Sequence, residues 1–263
     1  MIQENSQNRF TGKVQDYYST QINLVSSPFT NLDQINIKLL NSVFSRLDIR
    51  LSQKRILDVG CGGGMFSQYC KDRGGDYSGM DITYLNLERA SRFDSGRLAQ
   101  ADSQQLPFRS QSFDILSVID SFEHFPQPDL AVNEFRRVLK PGGAIFLSVP
   151  NYLNVAGLVK KASEKCGGWK PDSWAPFDFW EPQVYEHFLT PLKVKALFKQ
   201  AGFLHYKMIS LSQDYYVAML PWAWHPKCPG KLARLIELGQ RPFGFLFSRF
   251  LPWFGLHNIW KIS

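Results

Sequence analysis

Hydrophobic positions in the first 150 residues follow two periods in turn. Residues 30 to 47 place Leu32, Ile35, Leu39, Val43, Phe44 and Leu47 at helical spacing, and Thr30 with Asp33 reads as a capping box, so an amphipathic helix is expected there. Short apolar runs then alternate with helical stretches. The runs are RILDV (55–59), DYSGM (76–80), RLAQA (97–101), FDILSVI (113–119) and AIFLSV (144–149). The helices are expected over 64–73, over 83–92, and from Pro128 to 139. Runs such as ILSVI lack the polar alternation of a half-exposed strand, which argues for a parallel sheet covered by helices on both faces.

Beyond residue 150 the rhythm breaks. Residues 151 to 189 gather Trp169, Trp174, Phe177, Phe179, Trp180 and Tyr185 among scattered Pro and Gly, an irregular excursion from the rim of the sheet. A helix follows, capped by Thr190, with Pro191 in its first turn and Gly202 at its end. FLHYKMISL (203–211) and HNIWKI (257–262) read as two more strands, with a second insertion rich in Pro, Trp and Phe between them.

Composition narrows the class. With 44% apolar residues, 263 residues bury one full core, and a charged fraction of 20% is ordinary for a folded domain. A net charge of +7 permits contact with nucleic acid or an anionic membrane without requiring either. Cys61, Cys70, Cys166 and Cys228 show neither CxxC spacing nor paired His ligands, so reduced thiols are expected rather than a zinc site or a disulfide framework. The segment MIQENSQNRF lacks the plan of a signal peptide, and no apolar run has the roughly 18 to 20 residues of a membrane span. The expected location is cytoplasmic, with attachment to a membrane surface left open.

In a parallel α/β sheet ligands bind at the carboxyl ends of the strands. Those ends read Asp58, Asp81, Asp102, Asp120 and Asn151, four carboxylates at four successive strands. The first is followed by a turn containing Gly60, Gly62, Gly63 and Gly64, where a ligand approaches the backbone. A dinucleotide fingerprint is incomplete here, because its sixth position is Met65, and Asp58 would meet a pyrophosphate with negative charge. An acid at that place suits a ligand carrying an ammonium group.

The set Asp58, Gly60, Gly62 and Gly64, with Asp81 closing the second strand, Asp102 the third, and LKPGG (139–143) before the fifth, resembles the class I methyltransferases that use S-adenosylmethionine. The resemblance covers roughly residues 50 to 150. It implies a doubly wound, mainly parallel, seven-stranded α/β sheet of Rossmann-like methyltransferase type, with HNIWKI returning antiparallel and aromatic-rich insertions after strands 5 and 6. It also implies S-adenosyl-L-methionine as cofactor and S-adenosyl-L-homocysteine as its product. Asp58 then holds the methionine amino group, Asp81 accepts from the ribose hydroxyls, Ile82 packs on the adenine, Asp102 and Ser103 face the adenine amino group, and Asp120 completes the cofactor set. The expected organisation is one domain over 1–263: an N-terminal helical cap (1–50), a cofactor-binding core (51–150), and substrate or lid insertions at 151–189 and 212–255.

The stretch IDSFEHF (119–125) looks like the strand-four segment of the ubiquinone-biosynthesis O-methyltransferases and their small-molecule relatives. His124 is the first candidate for general base, since an ordinary histidine pKa near 6.5 suits deprotonating a hydroxyl. His187 is the second. Asp120, Glu123 and His124 offer oxygen and nitrogen to a divalent metal, but a helix start has the same pattern, and no metal site is assigned. SVPNY (148–152) differs from the Asn-Pro-Pro-Tyr signature of amino-methylating nucleic-acid enzymes, and no RNA-binding module is evident, so nucleic acid is not an expected partner. The expected acceptor is a small, partly hydrophobic molecule methylated on a hydroxyl oxygen, with nitrogen or carbon as alternatives. Trp169, Trp174, Phe177 and Trp180 would wall its channel, and Tyr17 and Tyr18 would close over the cofactor. An NAD(P)-dependent oxidoreductase is the alternative from another enzyme class, and a non-catalytic cofactor-binding scaffold the third. Residues 227 to 255 interleave Lys227, Lys231, Arg234, Arg241 and Arg249 with Leu and Phe, which suits peripheral membrane contact.

Overall fold

A computed structural model describes residues 30–31, 34–92, 97–166, 186–212, 215–220 and 228–263. The apolar runs become strands at the expected places: β1 (Arg55–Val59), β2 (Asp76–Asp81), β3 (Leu98–Gln100), β4 (Phe113–Ile119), β5 (Leu139–Pro150), β6 (Tyr206–Ile209) and β7 (His257–Ile262). They form one seven-stranded sheet in the order β3-β2-β1-β4-β5-β7-β6. The first five run parallel, whereas β7 pairs antiparallel with both β5 and β6. Strand order reverses between β1 and β4, so the chain leaves these two neighbours in opposite directions and opens a crevice at their carboxyl ends.

Alternation along the buried strands assigns side chains to two cores. Leu57, Val59, Leu116, Val118, Ile145 and Leu147 face one side. There they meet Ala131, Val132 and Phe135 of α4 (Pro128–Val138), and Val194 and Phe198 of α6 (Pro191–Gln200). Ile56, Ile115 and Phe146 face the other side. They are covered by Leu40, Val43, Phe44 and Leu47 of α1 (Ile37–Leu47), and by Phe66, Tyr69 and Cys70 of α2 (Met65–Lys71). On the first side Phe198 is fully buried, with its ring 5.5 Å from Phe122 and 5.6 Å from Phe203.

Several boundaries depart from the sequence reading. The first helix begins at Ile37 rather than at residue 30, because Asn36 caps it: its Oδ1 accepts from the Leu39 N–H at 3.0 Å. Thr30 lies instead in a two-residue ladder with Gln34–Ile35, which removes the proposed capping box. β5 starts five residues early, since LKPGG already pairs beside β4 through a bulge. The first insertion is not irregular at its start, because α5 spans Val155–Lys165, with Asn154 Oδ1 accepting from Gly157 N–H at 2.8 Å as its cap. The Thr190 cap is present, its Oγ1 accepting from Lys193 N–H at 3.3 Å. α3 (Tyr84–Ala90), α7 (Tyr215–Met219) and the 21-residue α8 (Gly230–Phe250) complete the helices among the described residues. No disulfide joins the four cysteines, and among the described residues no helix is long and apolar enough to cross a membrane.

The two cores and the helix surface make contrasting demands. Phe198→Ala is expected to cost about 3 to 5 kcal/mol of unfolding free energy, and Phe245→Ala, on the outer face of α8, less than about 0.5 kcal/mol. Denaturant titration of both variants checks this ordering.

Candidate active site

The turn after β1 is shaped by what surrounds it. A Cβ at Gly60, whose φ is 73°, would lie 2.7 Å from Ser121 Cβ, so the β1 turn rests directly on the turn after β4. A Cβ at Gly64, whose φ is 75°, would lie 2.7 Å from Ala90 Cβ and 2.8 Å from its Cα. Glycine there lets α2 start against the end of α3. Around Gly62 and Gly63 nothing stands within 4 Å of an added Cβ, and their backbone borders open space. The N–H groups of Gly60 and Cys61 both donate to Met80 O at 2.9 Å, which ties the turn to β2.

Two buried carboxylates flank this opening. Asp58 is 3% exposed and accepts from the Tyr77 hydroxyl at 2.9 Å. Burial pushes its pKa up to about 7, against the smaller opposing effect of the Tyr77 hydrogen bond. Asp81 is 7% exposed, and burial raises its pKa as well. Its Oδ2 accepts from Gly62 N–H at 2.9 Å, and its Oδ1 from Thr83 N–H at 2.8 Å and Asn86 Nδ2 at 3.2 Å. Among the described residues neither carboxylate forms an ion pair with a Lys, Arg or His.

Further along the edge, Ile82 is half-buried beside Asp81, and Ser103 is buried. Asp102 lies two residues past β3, where Oδ1 accepts from Gln104 N–H at 2.9 Å and Gln104 Nε2 bridges both carboxylate oxygens. Asp120 follows β4 with a φ of 45°. That left-handed conformation is held by Ser148 on β5: Asp120 N–H donates to Ser148 O at 2.9 Å, and Ser148 Oγ donates to Asp120 Oδ1 at 2.7 Å. Ser121 Oγ donates to Val59 O at 3.1 Å and closes the turn onto β1.

Glu123 and the two histidines gather at the turn after β4. Glu123 is 3% exposed, and its pKa is driven well above the usual carboxylate range by burial and, secondarily, by Asp120. His124 Nε2 stands 3.6 Å from Glu123 Oε1. His187 N–H donates to Glu123 O at 2.8 Å and its Nε2 sits 2.9 Å from Phe125 O, so that nitrogen carries the hydrogen and pins residue 187 to the turn after β4. Among the described residues no three His, Cys, Asp or Glu side chains gather as a metal site. Trp169, Trp174, Phe177, Trp180, Tyr17 and Tyr18 lie outside the described residues.

A second polar cluster carries no signature along the sequence. Lys160 of α5, 5% exposed, pairs with Glu186 Oε2 at 2.5 Å, and the Tyr152 hydroxyl donates to Glu186 Oε1. Asn151, expected among the functional strand ends, is instead a staple: its Nδ2 donates to Trp253 O at 2.6 Å and to Gly255 O at 2.8 Å. Tyr77, Ser121 and Ser148 were equally invisible as site residues, because each acts through a neighbour distant in sequence.

This geometry matches known proteins in both sequence and shape. Residues 57–147 match the family model of a methyltransferase domain. The ubiquinone biosynthesis O-methyltransferase of Idiomarina loihiensis is 36% identical over 155 residues, a stretch covering 54% of this chain and 61% of that protein's length. A SAM-dependent methyltransferase from Archaeoglobus fulgidus superposes with a TM-score of 0.56 at 16% identity, over 87% of this chain and 95% of the other. Phosphoethanolamine N-methyltransferase 2 of Haemonchus contortus, solved with S-adenosyl-L-methionine, does so with a TM-score of 0.58 at 14% identity, over 96% of this chain and 57% of the other. Residues 57–147 thus resemble a methyltransferase domain in sequence, and the seven-stranded sheet that carries them shares the fold of the solved SAM-dependent methyltransferases.

Proposed function

We propose that the chain transfers the methyl group of S-adenosylmethionine to a hydroxyl oxygen of a small, partly hydrophobic acceptor. The observation that carries this reading is the pair Asp58 and Asp81: two buried carboxylates beside an open glycine turn, with no cation from the described residues. A ligand bearing an ammonium group and ribose hydroxyls supplies what both lack, whereas a pyrophosphate would add repulsion. Asp58 would take the amino group, Asp81 the ribose hydroxyls, and the Gly62–Gly63 backbone would border the donor. Ile82 would face the adenine ring, with Asp102 and Ser103 toward its amino group and Asp120 at the neighbouring strand end.

The donor, when bound, brings an already activated methyl group, so alignment supplies several kcal/mol of the barrier. The chain's own residues then have two tasks: to hold the acceptor oxygen in line, and to remove its proton. His124, on the turn that abuts the glycine loop, is the proposed base, and His187, tied through Nε2 to Phe125 O, is proposed to hold that turn in place. The name of the Idiomarina relative supports oxygen as the methylated atom and a hydrophobic ring system as the acceptor class.

Three measurements test this reading. Calorimetry with S-adenosylhomocysteine should give a clear binding heat that Asp81→Asn weakens by roughly ten- to hundredfold, and with NADH none; the reverse pattern sinks the proposal. The second concerns pH. Because the ligand-free pKa of Asp58 is raised to about 7, the folded protein holds that proton more tightly than the unfolded chain, so this group's contribution to stability declines as pH rises from the ordinary carboxyl pKa toward 7. An ammonium ligand pairs with the ionised form, so its affinity should fall by up to about tenfold per pH unit below 7, with proton release on binding. Asp58→Asn should flatten that profile. Third, His124→Ala should lower the maximal rate by about 10² to 10⁴ fold with S-adenosylhomocysteine affinity nearly unchanged; undiminished turnover would remove His124 as base.

A further inference from the structure

The helix α8 presents its apolar side outward. Gly244 and Ser248 are buried, a Cβ at Gly244 would meet Ser212 O at 2.4 Å, and Phe247 stacks on Tyr215 of α7 with ring centroids 6.1 Å apart. These contacts fix which side of the helix packs on the domain. At 100° per residue the opposite side carries Leu235, Leu238, Phe245 and Leu246, which are 67%, 49%, 66% and 50% exposed. The exposed surface continues past the helix end through Leu251, Trp253 and Phe254.

The charges on this helix are one-sided. Lys231, Arg234, Arg241 and Arg249 are exposed, and the helix has one acid, Glu237, bonded to Arg241 at 2.9 Å. Lys231 and Arg249 fall within the apolar face, and Arg234 and Arg241 along one flank. Their long stems let the cations reach the headgroups while Leu and Phe sink below them. A protein partner would have to offer acids at the spacing of these cations; an anionic lipid surface offers negative charge everywhere. A helix of 21 residues, about 31 Å long, that does not qualify as a span is suited to lie along such a surface.

We propose that α8 docks the protein on an anionic lipid bilayer, with Leu235, Leu238, Phe245 and Leu246 inserted at the level of the headgroups. Asn151, at the carboxyl end of β5, bonds Trp253 O and Gly255 O just beyond α8, which ties the segment following the docked helix to that edge of the sheet. If the methyl-transfer reading holds, the acceptor class is a bilayer-dissolved amphiphile; the docking itself does not rest on that reading.

Flotation of the full chain with phosphatidylcholine vesicles, with and without phosphatidylglycerol, tests the proposal. The protein should float with the anionic vesicles at low salt, less so as salt rises, and only weakly with the neutral ones. Phe245→Asp and Arg249→Glu should each reduce the bound fraction by on the order of tenfold, with thermal midpoint and S-adenosylhomocysteine affinity unchanged. That last measurement keeps a failure of the cofactor reading distinct from a failure of docking. Absence of flotation, flotation unaffected by either substitution, or a concentration-dependent dimer that Phe245→Asp dissolves in a protein that does not float would each overturn it.

Discussion

Two buried carboxylates that meet no cation among the described residues set the terms for this molecule. Burying a charge in a protein interior costs several kcal/mol unless something pairs with it, and a group left alone raises its pKa instead. Asp58 does so, up to about 7, because burial outweighs the hydrogen bond from the Tyr77 hydroxyl. Asp81 spends most of its acceptor capacity on the backbone of its own turn and of the glycine loop. The sheet thus holds two acidic positions whose environment becomes favourable when a cationic, hydroxyl-bearing ligand enters.

What keeps those positions in place is a set of contacts between turns rather than between strands. Ser121 lies against Gly60 and donates to Val59 O, so the turns after β1 and β4 lock across the point where strand order reverses. Ser148 holds Asp120 in a left-handed conformation from the next strand over. His187 and Glu186 bring the end of the first insertion back to the same edge, one through the turn after β4 and the other through Lys160 and Tyr152. Lys160, Glu186 and Tyr152 satisfy one another inside the protein, where an unpaired partner would be costly.

The helix α8 obeys a different constraint. The end of α8 is joined to β5 through Asn151, while its packed side is narrow enough that a glycine and a serine fill its centre. Its large apolar residues are consequently left on the outside. The same staple ties the segment just past the helix to the carboxyl end of β5.

Much of the core was legible along the chain. The runs RILDV, FDILSVI and HNIWKI map onto β1, β4 and β7 residue for residue, because each is a short stretch rich in β-branched and other apolar residues, a signal that is local in sequence. The Asp58 and glycine pattern was readable because its residues are adjacent in sequence and each is demanded by local backbone geometry. The start of α1 was misplaced because Asn36 and Thr30 are both competent caps, and only the path of the preceding chain chooses between them. Asn151 looked like a ligand-facing strand end until the carbonyls of residues 253 and 255 were found against it, more than a hundred residues away. The sequence by itself therefore determined the parallel sheet, its helices and the acids at its edge, since these follow from periodicity and short-range backbone demands. Tertiary structure alone decided which of those acids are buried with no cation among the described residues and which side of α8 faces outward, because both depend on atoms brought together from distant parts of the chain.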